Sequence, residues 1–464
     1  MRPLPALAMI AVAALFAAPA AAEGLLESWR AAMRHDPNYL AAVEARTSGA
    51  EGDAQARSLF LPKLEVQGGV SRARSNVSID APAAFQSFIA GDSTGTSTSV
   101  DVVLSQPLLD SSATAQARIL RERAKAARTE FTARQQAIMA QVADAWLEIW
   151  ASDDDLRAIR SHKAALQREV QAARARFELG AARVTDVRES EAQFDQAAAS
   201  EIGALARREL AISRYRELTT LEYVAGPGLA DGFEPKRTAR SLDSWQAQAG
   251  LQAPEVVRAG HRLVSARASV NQYQWAGRPR VSAVATYSGG GFDGGGGQIL
   301  YPKSRESYAL GVQVAVPLIT GGYYPSKLRE ASAEVRQAER EADAARRDAR
   351  LEVQQAWLGI ETGVDRIMAL RTALHSAQLE RKAAVTGREV GIRTQANVLE
   401  AEARVYSTMR ELNIANYDYE KNRIRLAKAA GVLDESVLEA IDADFAAAAR
   451  TGAQRGVPPP ASTD

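Results

Sequence analysis

Three consecutive carboxylates, Asp153-Asp154-Asp155, form a tempting set of metal ligands. A metal needs them to converge on one point. On a helix, adjacent side chains point about 100° apart, so these three diverge. The four histidines, His35, His162, His261 and His375, fall on helical stretches with no shared ligand spacing and read as scattered surface or seam residues. Gly321-Gly322 followed by Lys327 lacks the GK[ST] ending of a phosphate loop. The sequence contains no credible nucleophile–base constellation. No catalytic residue, cofactor or metal is therefore expected, and any function must lie in what the elements build together.

Composition narrows that function. The 464 residues carry a formal net charge of +1, so the basic footprint of a nucleic-acid binder is missing. Arginines alternate with acids, as in Arg121-Glu122-Arg123 and Glu339-Arg340-Glu341, the pattern of a solvated helix face. Aromatic residues make up 6% of an Ala-rich, Arg/Glu-rich chain, which points to long packed helices with thin cores. Residues 1–22 read as a secretory signal, with Arg2, an apolar stretch from Ala8 to Ala18, and Ala20-Ala21-Ala22 as the cleavage site. The apolar stretch is too short to span a membrane as a helix. With no Cys in the chain there is no disulfide and no site for acylation after the signal.

The elements come in two copies. Pro107 recurs as Pro317, Trp146 as Trp357, Gly180 as Gly391, Val187 as Val398 and Glu191 as Glu402, at an offset of about 211 residues. Each copy reads as Pro, strand, Gly/Ser-rich loop, strand, Pro, then a very long helix that turns once on itself. In the strands, apolar residues alternate with polar ones: Leu64, Val66 and Val70 in the first; Val100, Val102 and Leu104 in the second; Val281, Ala283, Ala285 and Tyr287 in the third; Tyr308, Leu310, Val312, Val314 and Val316 in the fourth. Such period-2 alternation fits a transmembrane strand, apolar to lipid and polar to lumen, and equally a half-buried strand of a soluble sheet. Residues 72–97 and 288–304 read as long loops, and Tyr287, Phe292, Tyr301, Tyr308, Tyr323 and Tyr324 as interfacial girdles.

From Ser111 to Glu178 neither Pro nor Gly interrupts the chain, a run of about 68 residues spanning roughly 100 Å as a helix. One heptad seam holds Phe131, Ile138, Ala145, Ile159, Leu166 and Ala173; a second holds Val142, Ile149, Leu156, Val170 and Phe177, with Ser152 and Lys163 as lapses. Val353, Ile360, Ile367, Leu370 and Leu374 repeat the register in the second copy. Gly180 and Gly391 are placed to end the long helices, and Thr185 and Thr394 to cap the return helices.

The expected organisation is a signal (1–22), N-terminal helices (23–60), strand pair 1 with its loop (61–108), helical hairpin 1 (109–221), a connector (222–253), a helix (254–278), strand pair 2 with its loop (279–317), helical hairpin 2 (318–430), a C-terminal helix (431–450) and a disordered tail (451–464). The fold class is mainly α with a small β portion: an α-helical hairpin barrel continuous with a β-barrel. Four strands cannot close a barrel, and open edges are not viable in lipid. The chain is therefore expected to share a barrel with copies of itself, three of them giving about 12 strands and a passage.

The plan resembles the TolC family of outer-membrane export channels. Matching pieces are Leu61-Pro62-Lys63-Leu64, Gln106-Pro107-Leu108-Leu109-Asp110, Val316-Pro317-Leu318-Ile319 with Gly321-Gly322, Phe177 to Val187, and Val390 to Glu400, over about residues 24–445. The resemblance implies a homotrimer in the outer membrane with a large periplasmic portion, a periplasmic adaptor, an inner-membrane ABC or proton-driven pump, and contact with outer-membrane lipid. It implies that Pro62, Pro107, Pro279 and Pro317 mark barrel–helix junctions, and that the turns at Gly180 and Gly391 meet the adaptor. It places a pore constriction at Asn397 and Glu400, with Asn397 standing where the family has an acid. It implies a gate latch among Arg388, Arg393, Thr185 and Asp186, with Arg388 where an aromatic is expected. Within that reading, a type I secretion duct competes with a drug or metal efflux component. The alternative from another class is a periplasmic coiled-coil adaptor, which would leave the alternating strands unexplained.

Overall fold

The computed structural model describes residues 24–77, 82, 91–223, 228–229, 233–295 and 304–454. The signal at 1–22, most of both loop crowns, Tyr301, the side chain of Phe292, Gly226-Pro227 of the connector and the tail beyond Gln454 lie outside them. The chain divides into two compact units, one containing residues 44–131 and 254–346, the other 1–43, 132–253 and 347–464.

In the first unit, β1 (Lys63–Val77), β2 (Gly91–Leu109), β3 (Arg280–Gly295) and β4 (Ser304–Ala315) form one sheet in the order β1-β2-β3-β4. Every pairing is antiparallel. Register decides what each face carries, because successive side chains point to opposite sides. The rows Leu64–Leu104–Ala285–Leu310 and Val66–Val102–Tyr287–Tyr308 put aliphatic and aromatic groups on one face. The row Gln67–Asp101–Ser288–Ser307 lies on the other. The apolar face has no cover in the protomer: Val70 is 76% and Leu310 85% exposed. From Leu64 to Val70 the band is about 20 Å tall, close to the apolar band of an outer-membrane barrel. Tyr287 and Tyr308 touch in the Val66 row of this band, with ring centroids 5.0 Å apart.

The strands run further than their hydrophobic alternation. Arg72–Val77 pairs with Thr96–Gly91, and β3 continues to Gly295, where polar loops were expected. Once both faces meet water, the backbone ladder persists while the period-2 signal vanishes, so the pattern ended before the strand did. Pro107 lies inside β2 at an irregularity in the pairing to β3, the kind of place a residue without an N–H tolerates. Gln106 Nε2 donates to the Phe60 carbonyl at 2.9 Å, tying the strand to the end of α2 (Pro37–Ser58).

The second unit carries most of the helical hairpins, residues 111–131 and 323–346 of the long helices falling in the first. α3 (Ser111–Glu178) returns as α4 (Val184–Thr219), and α7 (Tyr323–Glu389) returns as α8 (Gln395–Ala429). The heptad residues Ile138, Val142, Ile149, Leu156, Ile159, Leu166, Val170 and Ala173 are all buried, as are Val353, Ile360 and Ile367. Opposite them, α4 buries Ala197, Ala204 and Ala211. α8 buries Val398, Val405 and Leu412. Leu166 packs with Ala197 and Leu399, so one seam residue touches both hairpins. Burying such a Leu contributes about 1.5–3 kcal/mol, and alanine opposite it lets the backbones approach.

The connector contains a helix, α5 (Leu242–Gln252), capped by Ser241, and is followed by α6 (Pro254–Gln274). α9 (Glu435–Gln454) runs into the segment expected to be tail; its alanine-rich end, Ala446-Ala447-Ala448-Ala449, is a strong helix former. α9 holds α1 (Leu25–His35) through Asp442, whose carboxylate accepts from the Leu25 N–H at 2.6 Å and the Leu26 N–H at 3.0 Å. Its Phe445 ring sits 4.5 Å from Trp146.

Glu420, fully buried on α8, meets Arg423 at 2.8 Å, and Arg423 also reaches Asp444 of α9 at 2.5 Å. Burial pushes the Glu420 carboxyl up to about 7 against the pull of Arg423. The folded chain therefore keeps a proton that the unfolded chain releases near 4.5. This stabilisation is complete below that pH and is lost as pH rises through about 7. Glu420→Gln should flatten the decline of the thermal midpoint between about pH 5 and 8. Circular dichroism of the purified protein reads it, and equal declines in both proteins would refute the linkage.

Candidate functional site

The two hairpin turns are built alike. Gly180 takes φ +72° and Gly391 φ +79°, a backbone that disfavours any residue with a Cβ. In the first turn the Ala181 N–H bonds to Arg176 O and the Gly180 N–H to Phe177 O. In the second, Ile392 bonds to Gly387 O and Gly391 to Arg388 O. Both are Schellman closures, which satisfy carbonyls the helix end would leave unpaired.

The return helices begin differently from expectation. Thr394 is the N-cap of α8: its Oγ1 accepts from the Asn397 N–H at 3.3 Å. Asn397 Oδ1 accepts in return from the Thr394 N–H at 3.1 Å, closing a capping box. Thr185 is not the matching cap. α4 starts at Val184, with Arg183 in the cap position two residues before Thr185. The Arg183 N–H donates to Asp186 Oδ2 at 3.1 Å, the same reciprocal bond that Asn397 makes in the second copy, while the Asp186 N–H bonds the Arg183 carbonyl instead of a hydroxyl. Asp186 and Asn397 therefore occupy equivalent places in the two copies. Glu400 lies one turn into α8, exposed, with Arg404 at 3.2 Å; Arg404 also reaches Glu380 at 3.5 Å.

Among the expected latch residues, Arg388 alone reaches the other hairpin within the protomer. It donates to Glu169 of α3 and, at 3.0 Å, to Gln395 Oε1. Arg393 is exposed, and among the described residues it forms no ion pair with Asp186. Within the protomer the acceptor that Arg388 finds is Glu169, while Asp186 accepts from the Arg183 N–H of its own helix end. Around Glu169 a half-buried polar network assembles from all four hairpin helices. Gln395 Nε2 donates to Glu169 at 3.2 Å and to Ser190 Oγ of α4 at 3.3 Å. Arg176 Nη1 donates to Gln395 Oε1 at 3.4 Å, and its other terminal nitrogen lies 3.7 Å from Glu169. Burial, with Arg388 close by, holds the Arg176 guanidinium below its ordinary pKa. Two cations thus share one carboxylate, and Gln395 and Ser190 are themselves buried.

Glu169, Arg176, Ser190 and Gln395 were not singled out by the sequence. One signal was there: Ser190 is the polar member of a stripe, Ser190, Ala197, Ala204 and Ala211, that is otherwise alanine. Pro62, Pro107, Pro279 and Pro317 belong to the other unit, beside the ends of the strands.

The acidic run sends its members in different directions. Asp153 bonds Arg208 of α4 and the Tyr223 hydroxyl. Asp154 pairs with Arg157 and accepts from the Tyr417 hydroxyl of α8 at 2.6 Å. Asp155 takes Arg207 of α4 and Arg410 of α8, both at 2.8 Å. Three successive side chains thereby pin α4, α8 and the connector to α3. Burial raises the Asp154 carboxyl above the usual range, and Arg157 opposes it.

Comparison with known proteins fits this architecture. The profile of the outer membrane efflux protein family matches residues 31–219 and 245–432, one block for each copy of the repeat. The outer membrane protein TolC of Vibrio cholerae is 28% identical over 415 residues, covering 89% of this chain and 92% of that protein. The alkaline protease secretion protein AprF of Pseudomonas aeruginosa is 27% identical over 425 residues, covering 91% and 87%. In fold, the crystal structure of the outer membrane protein VceC from Vibrio cholerae superposes with a TM-score of 0.74 at 18% identity, over 88% of this chain and 96% of that one. The chain belongs to the outer membrane efflux protein family.

Proposed function

We propose that three copies of this chain form a passive duct through the outer membrane, the exit component of a tripartite export system, held closed at the hairpin tips. One observation carries the reading: a four-stranded sheet with an uncovered apolar face and no neighbour on the outer edges of β1 and β4 among the described residues. In lipid such edges must pair with something, and further copies of the same sheet supply strands of matching length and polarity. A periplasmic adaptor has no use for that face. An adaptor and an inner-membrane pump are the partners this reading requires, since a passive duct draws its driving force from elsewhere. The likeness to a protease secretion protein favours protein cargo leaving by type I secretion over drug or metal efflux.

At the tips, Glu400 with Asn397 would ring the constriction once per copy, leaving one carboxylate ring for cation preference. The Glu169 network would hold the two hairpins of each copy together. Arg393, exposed within its own chain, would reach Thr185 and Asp186 of the next copy. Opening requires these ties to break, and partly exposed bonds of this kind are worth only about 0–1 kcal/mol each.

Two measurements test the reading. Outer-membrane fractions should give heat-modifiable trimer bands, and the purified protein should form channels in planar bilayers; recovery as a soluble periplasmic monomer would support the adaptor instead. Glu169→Gln and Arg388→Ala should each raise single-channel conductance several-fold while trimers persist. Unchanged conductance in both variants would remove the Glu169 network from the gate.

A further inference from the structure

One row of α3 meets the second hairpin at every seventh residue: Glu148, Asp155, His162, Glu169 and Arg176. Heptad spacing keeps all five along one side of a supercoiled helix. Four of them hold α8 by charge or hydrogen bond. Glu148 takes Lys421 at 2.8 Å, Asp155 takes Arg410 at 2.8 Å, Glu169 accepts from Gln395 at 3.2 Å, and Arg176 donates to Gln395 at 3.4 Å. His162 is the exception. Its ring lies flat on the Tyr406 ring of α8, with centroids 4.7 Å apart and planes 3° from parallel. Its Nδ1 is buried and has no hydrogen-bond partner among the described residues.

A buried ring nitrogen without a partner suits a neutral imidazole and penalises an imidazolium. The charges around the stack leave that penalty in place. Glu402 of α8 is the acid that favours the proton, but it already pairs with Arg381 of α7 at 3.4 Å. Beside Tyr406, Asp155 is shared by Arg207 of α4 and Arg410 of α8. On α4, Glu201 is taken by Arg160 and Lys163 of α3. Burial, against the pull of Glu402, holds the His162 imidazole below its ordinary value of 6.5.

We propose that His162 makes the packing of the two hairpins sensitive to acid: its protonation loosens the seam between α3 and α8, so that low pH favours parted hairpins. In the parted state the ring is hydrated and takes a proton near 6.5; in the packed state it does so only at lower pH. Protons therefore favour the parted state as pH falls through 6.5. Glu420, which titrates in the same range, acts in the opposite sense, since burial strengthens its hold on a proton. The further step, that loosening the seam opens the duct, rests on the gate described above.

The chain has no cysteine, so one introduced thiol reports on one place. Ala197 and Leu399 are buried against Leu166, one on each hairpin. Ala197→Cys and Leu399→Cys are two independent reporters, and Leu179→Cys, exposed at the first turn, is the control. Each is made in the full mature protein and its rate of reaction with a maleimide is measured. Free thiols titrate near about 8.5, so below that pH both thiolate fractions change alike and the rate ratio of reporter to control isolates the seam. From pH 7.5 to 5.5 that ratio should rise about 5-fold, within the roughly 10-fold that one histidine supplies. With His162→Phe, which can stack but cannot take a proton, it should stay flat. A flat ratio without that change, or an equal rise with it, overturns the proposal. Single-channel conductance is then followed over the same pH range in the cysteine-free protein. A rise that His162→Phe abolishes supports the proposal and ties the seam to the duct. A rising ratio with unchanged conductance leaves the proposal standing and counts against the gate alone.

Discussion

A backbone amide at the edge of a sheet must find a hydrogen-bond partner, and hydrocarbon offers none. Four strands in one chain leave two such edges, so this chain cannot settle in a membrane alone. Much else follows. The strand pairs must come in equivalent copies for the edges to match, and the repeat supplies them. The helices that continue from those strands must then be as numerous as the strands and packed side by side. Alanine at heptad spacing in α4 lets them pack tightly without large side chains.

Length has a cost that the structure meets at a few fixed points. Two long hairpins joined only by seams of Leu, Ile and Ala could slide along each other, because successive heptads look alike. The Asp153-Asp154-Asp155 run prevents this: Asp153 bonds α4 and the connector, Asp154 bonds α8, and Asp155 bonds both α4 and α8. Such a junction specifies register more than it adds stability, since buried charges carry a desolvation penalty. Glu169 sets the register a second time near the turns, with fewer buried groups and more water. The difference suits a molecule held firmly at its middle and loosely at its tips.

The sequence revealed those parts of the fold that depend on local periodicity. Both seams, both Schellman glycines and the apolar halves of the strands could be read directly. The polar halves could not, because a strand wet on both faces has no alternation to show. The caps split: Thr394 followed the usual chemistry, while in the first copy Asp186 bonds back to Arg183 and the cap lies two residues before the expected Thr185. The site was half visible. Arg388 stood out by its place beside a turn, but its partner Glu169 lies 219 residues away in sequence, inside the last turns of α3, and no local pattern marks it. Asn397, read as a lost acid, has a role of its own as the reciprocal member of a capping box.

The bond between the first helix and the last also fixes an order of events. Asp442 completes the first turn of α1 across a separation of 417 residues. Every other cap described here is supplied from within a few residues and can form while the chain is still short. This one cannot exist until almost the whole polypeptide has been made, and bringing such distant segments together is slow relative to local helix formation. A chain cut short before α9 would keep its hairpins and strands but leave the start of α1 uncapped. The clasp thus distinguishes a finished molecule from an unfinished one.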